Sequence, residues 1–166
     1  MTNATSRTDF LPIIEKTFDF PVEKVFDAFI NKEKLAKWWG PHEFTNPKCE
    51  VDARPGGIYK IVMRGPDGVE FPCVGEFKTI DPPRKLIYTI DVNEHPPEWH
   101  QAVNQARGVN TKMEEMIFEI LFDDLNGKTK VSVKASFGDK RDYEALLKIG
   151  MKGGWGQSFE KLEALL

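Results

Sequence analysis

Apolar residues recur along this chain with two periods, one helical and one of strands. From residue 21 the spacing is helical: Val22, Val25, Phe26, Phe29 and Ile30 fall at i, i+3, i+4, i+7 and i+8. Pro21 suits the first helical position and Glu23 the first turn. Residues 13–20, just before, predict a strand. Asn31 predicts the cap of a second short helix that carries Leu35, Trp38 and Trp39 and is ended by Gly40 and Pro41. Neighbouring helical residues point about 100° apart, so the two tryptophans need apolar surface in two directions.

The period then changes to two. Residues 49–54 lead into the turn Pro55-Gly56-Gly57, and residues 58–64 alternate, with Tyr59, Ile61 and Met63 on one face and Lys60 and Arg64 on the other. "GPDG" (65–68) predicts a hairpin turn, and "DPPR" joins strands over 71–80 and 85–91, where Leu86, Tyr88 and Ile90 share a face. Strands over 116–122 and 129–137 flank "DDLNGK", whose Asn126-Gly127 is a strong hairpin signal. Phe118, Ile120 and Phe122 share one face of the first; Val131, Val133, Ala135 and Phe137 face inward on the second, with Lys130, Ser132 and Lys134 outside.

Residues 142–166 predict one long helix with a stripe of Leu147, Met151, Trp155, Phe159, Leu162 and Leu166. Gly150, Gly153, Gly154 and Gly156 fall inside it, each costing about 1 kcal/mol relative to alanine. Either the backbone approaches another element closely there, or the helix bends over a cavity. The order strand, two helices, six strands, long helix predicts an α+β fold, a strongly curved antiparallel sheet of about seven strands wrapped around the C-terminal helix. Such curvature tends to leave a space between sheet and helix. Trp38 is then assigned to the core and Trp39 to the mouth of that space, the two apolar surfaces such a fold offers.

Composition narrows the function classes. At 166 residues, with 40% hydrophobic and 30% charged, the chain suits one domain over 1–166. With 23 Lys and Arg against 26 Asp and Glu, the net charge of -3 offers a polyanion nothing, so no nucleic-acid partner is expected. The first residues contain no apolar stretch of signal-peptide length, and no run of 18 apolar residues occurs, so the expectation is a cytoplasmic protein without a membrane span. Cys49 and Cys73 read as small apolar residues of a reducing compartment.

Six segments carry a resemblance: "FPVEKVFDAF", "KLAKWWGP", "VDARPGGIYKIVMRGPDG", "VGEFKTIDPPRKLIYTI", "NGKTKVSV" and "GGWGQSFEKLEALL". Over about residues 18–165 the chain resembles the SRPBCC (START and birch-pollen-allergen-like) superfamily of helix-grip domains, in particular the branch of homologues of the activator of the heat-shock protein 90 ATPase. The resemblance implies a curved sheet gripping a C-terminal helix around an apolar cavity for lipids, polyketides or other hydrophobic molecules. It implies that "RPGG" (54–57) is a structural turn and that Trp155 faces the sheet. It supplies no catalytic residue. The chain departs from the family's compact pattern over 93–115, where residues 98–106 could form a helix after Pro97. This insertion is either a lid carrying Trp99 over the cavity mouth, or a partner contact, or decoration.

The candidate chemistry is sparse. His95 and His100, with Glu98, are spaced i and i+5, which does not set two imidazoles on one helical face, so no metal is expected. Asp123 and Asp124 point to opposite strand faces beside a turn. "PGG" and "GPDG" open no helix and so cradle no phosphate. No G-x-S-x-G or similar nucleophile setting occurs, so no catalytic residue and no cofactor are named. Asp52 and Arg54 read as a structural pair, and Glu76 as facing outward with Lys78 rather than anchoring a ligand.

The expected ligand-binding set is Trp39, Tyr59, Ile61, Met63, Phe71, Phe77, Tyr88, Ile90, Trp99, Phe118, Ile120, Met151 and Trp155. Tyr59 and Tyr88 stand out because a buried phenol needs a hydrogen-bond partner and could orient a ligand. Three functions follow: a module binding a hydrophobic small molecule (lipid, polyketide or aromatic); a co-chaperone of the stress response with a chaperone as partner; or a cyclase or aromatase, for which only Tyr59, Tyr88, Glu76 or His100 could supply a polar group.

Overall fold

The computed structural model describes residues 7–166. Strand β1 (Leu11–Phe18) runs into α1 (Val22–Ile30) and α2 (Lys32–Trp38). Then come β2 (Thr45–Val51), β3 (Ile58–Arg64), β4 (Glu70–Asp81) and β5 (Lys85–Ile90), helix α3 (Pro97–Arg107), β6 (Met116–Asp124), β7 (Thr129–Ser136), and helices α4 (Lys140–Lys148) and α5 (Met151–Leu165). The strands form one antiparallel sheet in the order β1-β7-β6-β5-β4-β3-β2. Its register slips in the β1–β7, β2–β3 and β4–β5 pairs, and such bulges bend and twist a sheet into the curvature that the α+β helix-grip arrangement needs.

Local chemistry explains the ends of the elements. Asn31 accepts the Lys34 N–H at 3.2 Å and caps α2 as its sequence suggests. Asn126 and Gly127 both have positive φ, 59° and 96°, the type I′ geometry that matches strand twist, and Leu125 N–H closes the β6–β7 turn onto the Lys128 carbonyl at 2.8 Å. Strand β1 begins and ends two residues earlier than the alternation predicts, and β2 begins at Thr45 rather than residue 49.

The expected single C-terminal helix is two. Gly150 has φ 109° and ψ 18°, a conformation that interrupts the hydrogen-bond ladder between α4 and α5. The stripe changes with it. Trp155, Phe159 and Leu162 are buried on α5, but on α4 the buried apolar residues are Ala145 and Leu146, with Leu147 half-exposed. Only Gly150 is required by the backbone. An added Cβ at Gly153 would meet nothing, and those at Gly154 and Gly156 would touch Pro41 and Ile14 at an ordinary 3.8 Å. The insertion does form a helix, α3, between β5 and β6, which the order expected from the pattern leaves out.

Between sheet and helices lies an aromatic core. Phe26 and Phe29 each meet Phe122 at 5.0 Å, Phe18 meets Phe159 at 5.3 Å, and Trp38 sits fully buried with its indole N–H donating to the Ala28 carbonyl at 2.8 Å. Cys49 and Cys73 are free. Both register against Ile61 from opposite sides of β3; two strand spacings, about 9.5 Å, therefore separate them, beyond disulfide reach. Among the described residues no helix is long and apolar enough to cross a membrane.

Candidate functional site

Beside the packed core, part of the space between sheet and helices is left open. A cavity of about 250 Å³ opens beside the α4–α5 break. Its floor comes from β3 to β6 through Met63, Cys73, Ile90, Met116 and Phe118; its other walls are Trp39 to Pro41 after α2, Trp99 on α3, and Leu146, Ile149 to Met151, Gly154 and Trp155 around the helix break. Trp155 holds the wall together, with its ring centroid 5.2 Å from Trp39 and 5.8 Å from Phe118.

Both rims are fixed by polar contacts. On one side Lys161 reaches from α5 with its Nζ donating to the Trp39, Pro41 and Phe44 carbonyls at 3.3, 3.2 and 3.4 Å. Asn46 donates to the Ala36 and Trp39 carbonyls at 2.9 Å, and His42 meets Glu160 at 2.6 Å. On the other side the inserted helix is tied to α4 by a buried ion pair, Arg107 Nε to Asp142 Oδ1 at 2.7 Å, which is out of ideal hydrogen-bond alignment. The rest of the guanidinium is occupied by Asn104 and Thr111. Burial raises the Asp142 carboxyl, and the nearby Arg107 opposes this.

Among the described residues, and apart from the tryptophan indoles, Cys73, His95 and Ser158 bring polar side chains to the cavity. The Ser158 hydroxyl is spent on the Gly154 carbonyl at 3.0 Å. Cys73 Sγ and His95 Nε2 lie 3.6 Å apart, and His95 Nδ1 is buried near the Pro72 backbone, out of good hydrogen-bond alignment. Phe71 and Trp99 pack edge-on against the imidazole, with centroids 5.4 and 4.5 Å away. Burial pushes the Cys73 thiol up to about 12. Burial first, and then His100, hold His95 down at about 4. Both groups are therefore neutral near pH 7, the opposite of the thiolate and imidazolium that nucleophilic catalysis requires.

Residues 19–166 match the family model described as activator of Hsp90 ATPase homolog 1-like protein. The chain belongs to this family. Solved structures share the fold: a protein of Mycobacterium smegmatis has 21% identity and a TM-score of 0.74, with 96% of each chain covered. One from Nitrosomonas europaea has 23% identity and a TM-score of 0.73 over 99% of this chain and 96% of that one. A third, from Silicibacter pomeroyi, has 20% identity and a TM-score of 0.67, covering 91% and 93%. No curated protein matches the chain significantly in sequence.

Within this family fold, the structure brings Trp39, Met63, Ile90, Trp99, Phe118, Met151 and Trp155 together around the cavity. It does not bring Tyr59, Ile61, Phe77, Tyr88 and Ile120 there: these are fully buried in the packed core beneath, where neighbouring rings leave no free face. Phe71 lies to one side, against Phe44 and His95. The tyrosines also depart from expectation. Their rings stack at 4.2 Å and 16°, both hydroxyls are buried outside hydrogen-bond geometry, and burial raises both phenols above their usual range.

Glu76 faces outward and pairs with Lys78 at 2.7 Å, and Asp52 pairs with Arg54 at 2.8 Å. Among the described residues no three His, Cys, Asp or Glu side chains gather as a metal site would require. His100 does not join His95 but lies 3.2 Å from the Asn93 carbonyl. The pair that does form, Cys73 with His95, spans 22 positions and carries no spacing signal. The inward parity of Cys73, opposite Ile61, was the only trace of it in the sequence.

Proposed function

We propose that this protein is a binding module that holds a hydrophobic small molecule between its curved sheet and its C-terminal helices. The observation that carries the reading is the cavity itself. Protein interiors are ordinarily packed to the density of organic crystals, yet about 250 Å³ stands open beside an aromatic core, with apolar walls held in place from both rims. Trp39, Met63, Ile90, Trp99, Phe118, Met151 and Trp155 contact the ligand, and α3 acts as its lid, carrying Trp99. The neutral Cys73–His95 pair speaks for binding rather than turnover, and none of the groups a cyclase would need (Tyr59, Tyr88, Glu76 or His100) borders the cavity.

The test is titration of the purified chain with an apolar fluorescent probe, followed by displacement with lipids and aromatic compounds. Saturable binding near one molecule per chain is the expected outcome. No saturable ligand across a broad lipid and aromatic library would overturn the reading. The family's description also names activation of a chaperone ATPase. An ATPase assay with the purified chaperone, probe-loaded and probe-free, separates that role from ligand binding.

A further inference from the structure

We infer that the cavity selects a neutral, two-ring aromatic molecule bearing one hydroxyl, with that hydroxyl bonded to His95. The inference rests on the binding-module reading and goes on to size, charge and the position of the polar group. Size comes from volume. A dry apolar cavity of about 150 Å³ takes benzene, so about 250 Å³ suits two fused rings and is too short for an extended acyl chain. Shape comes from the walls, where Trp39, Trp99, Phe118 and Trp155 offer edges and faces to a flat ring.

Charge follows from what is missing at the walls. Among the described residues no Lys, Arg, Asp or Glu side chain borders the cavity. An ionised ligand group would therefore be desolvated without a counter-charge, which is far more costly than burying a hydrogen-bonded hydroxyl. For the polar group, the tryptophan indoles on the wall can only donate, so one side chain remains that can also accept strongly. Ser158 already donates within its helix, and a thiol is a weak donor and acceptor. His95 Nδ1 is buried on the side of the Pro72 backbone, out of good hydrogen-bond alignment, whereas Nε2 makes only a 3.6 Å contact with Cys73, which a ligand hydroxyl would replace. A hydroxyl both donates and accepts, so it serves either tautomer of the imidazole; a carboxylate or a bare hydrocarbon does not.

The experiment compares 2-naphthol, naphthalene and 2-naphthoate at pH 7, read by quenching of the tryptophans at the cavity wall. Expected is 2-naphthol binding about tenfold more tightly than naphthalene, the scale of one buried hydrogen bond, and 2-naphthoate weaker than both. In His95→Phe the naphthol preference over naphthalene should vanish while naphthalene binding persists. Naphthoate binding as tightly as naphthol in the unaltered chain, or a naphthol preference unchanged in a folded His95→Phe, would overturn the inference and leave the binding-module reading standing. Failure of all three compounds to bind while another library compound saturates the cavity would overturn the inference alone; only a library with no saturable ligand removes both. The ranking in the unaltered chain needs no variant, so it decides even if His95→Phe does not fold.

Discussion

Two adjacent tryptophans show how differently neighbours can be used. Trp38 is fully buried, packs on Phe29 at 4.7 Å and gives its indole N–H to Ala28, so Trp38→Ala should cost about 3–5 kcal/mol through the void it leaves and the carbonyl it orphans. Trp39 is 7% exposed and borders the cavity, but it also packs on Trp38, Tyr59 and Trp155. A rim residue truncated at little cost is therefore the wrong picture. Trp39→Ala should cost about 2 kcal/mol and enlarge the cavity, so urea unfolding with probe titration should show Trp38→Ala losing mainly stability and Trp39→Ala losing both stability and probe affinity. His95 makes a second prediction. Its imidazole is held at about 4 by burial and then by His100, with the Pro72 backbone and then Asp91 acting the other way and the neutral Cys73 beside it. The unfolded chain takes up this proton near 6.5 and the folded chain only near 4, so stability is full above pH 6.5 and falls as the pH drops toward 4. Between pH 7 and pH 5 this one group should remove about 2 kcal/mol. Urea midpoints at the two pH values should differ less in His95→Phe by that amount; an unchanged difference would mean that the imidazole titrates normally.

At the scale of elements, the join between α4 and α5 forms part of the cavity wall. Gly150 has φ 109° with open space where a Cβ would go, so Gly150→Ala should destabilise through backbone strain alone, by about 1–2 kcal/mol. Gly153 has equal room and an ordinary helical backbone; Gly153→Ala should stabilise by about 0.5 kcal/mol by restricting the unfolded chain. Thermal unfolding of the two variants should move in opposite directions, whereas one continuous helix would have both alanines stabilise. The inserted α3 depends on its tie to α4. Arg107→Ala strands the buried Asp142 carboxylate and should cost about 3–5 kcal/mol, with faster amide exchange over residues 97–107; Arg107→Met combined with Asp142→Leu should recover most of that loss. Exchange that stays slow in Arg107→Ala would show that apolar contacts hold the insertion instead.

For the whole molecule, the question is whether the open volume is a site or a packing fault, and filling it distinguishes the two. Gly154 borders the cavity from within α5, and a Cβ there would meet only Pro41, at 3.8 Å. Gly154→Leu should therefore raise stability by about 1 kcal/mol, through helix propensity and apolar burial, while abolishing probe binding. Such a trade, stability gained and binding lost, is what a retained functional cavity predicts. A variant that is stabilised and still binds the probe with the same affinity would place the ligand elsewhere.

What the sequence determined by itself are the features whose causes are local. Strand alternation, the helical stripe of α1, the Asn31 cap and the Asn126-Gly127 turn each follow from neighbours within one or two turns of chain, and apart from the shifted ends of β1 and β2 they stand in the structure where the pattern puts them. Burial of the large apolar residues was legible for the same reason, but a core and a pocket are made of the same residue types. Tyr59, Tyr88 and Phe118 share an inward parity, and only the packing of distant elements puts Phe118 at the cavity while leaving both tyrosines in the core. The helix break escaped the pattern because four glycines look alike in sequence, although only one, Gly150, adopts a left-handed conformation. The Cys73–His95 contact and the Arg107–Asp142 tie needed the insertion folded back over the sheet, which no spacing encodes. Tertiary structure alone decided these, because whether space between a curved sheet and its helices is filled or empty depends on where the elements meet.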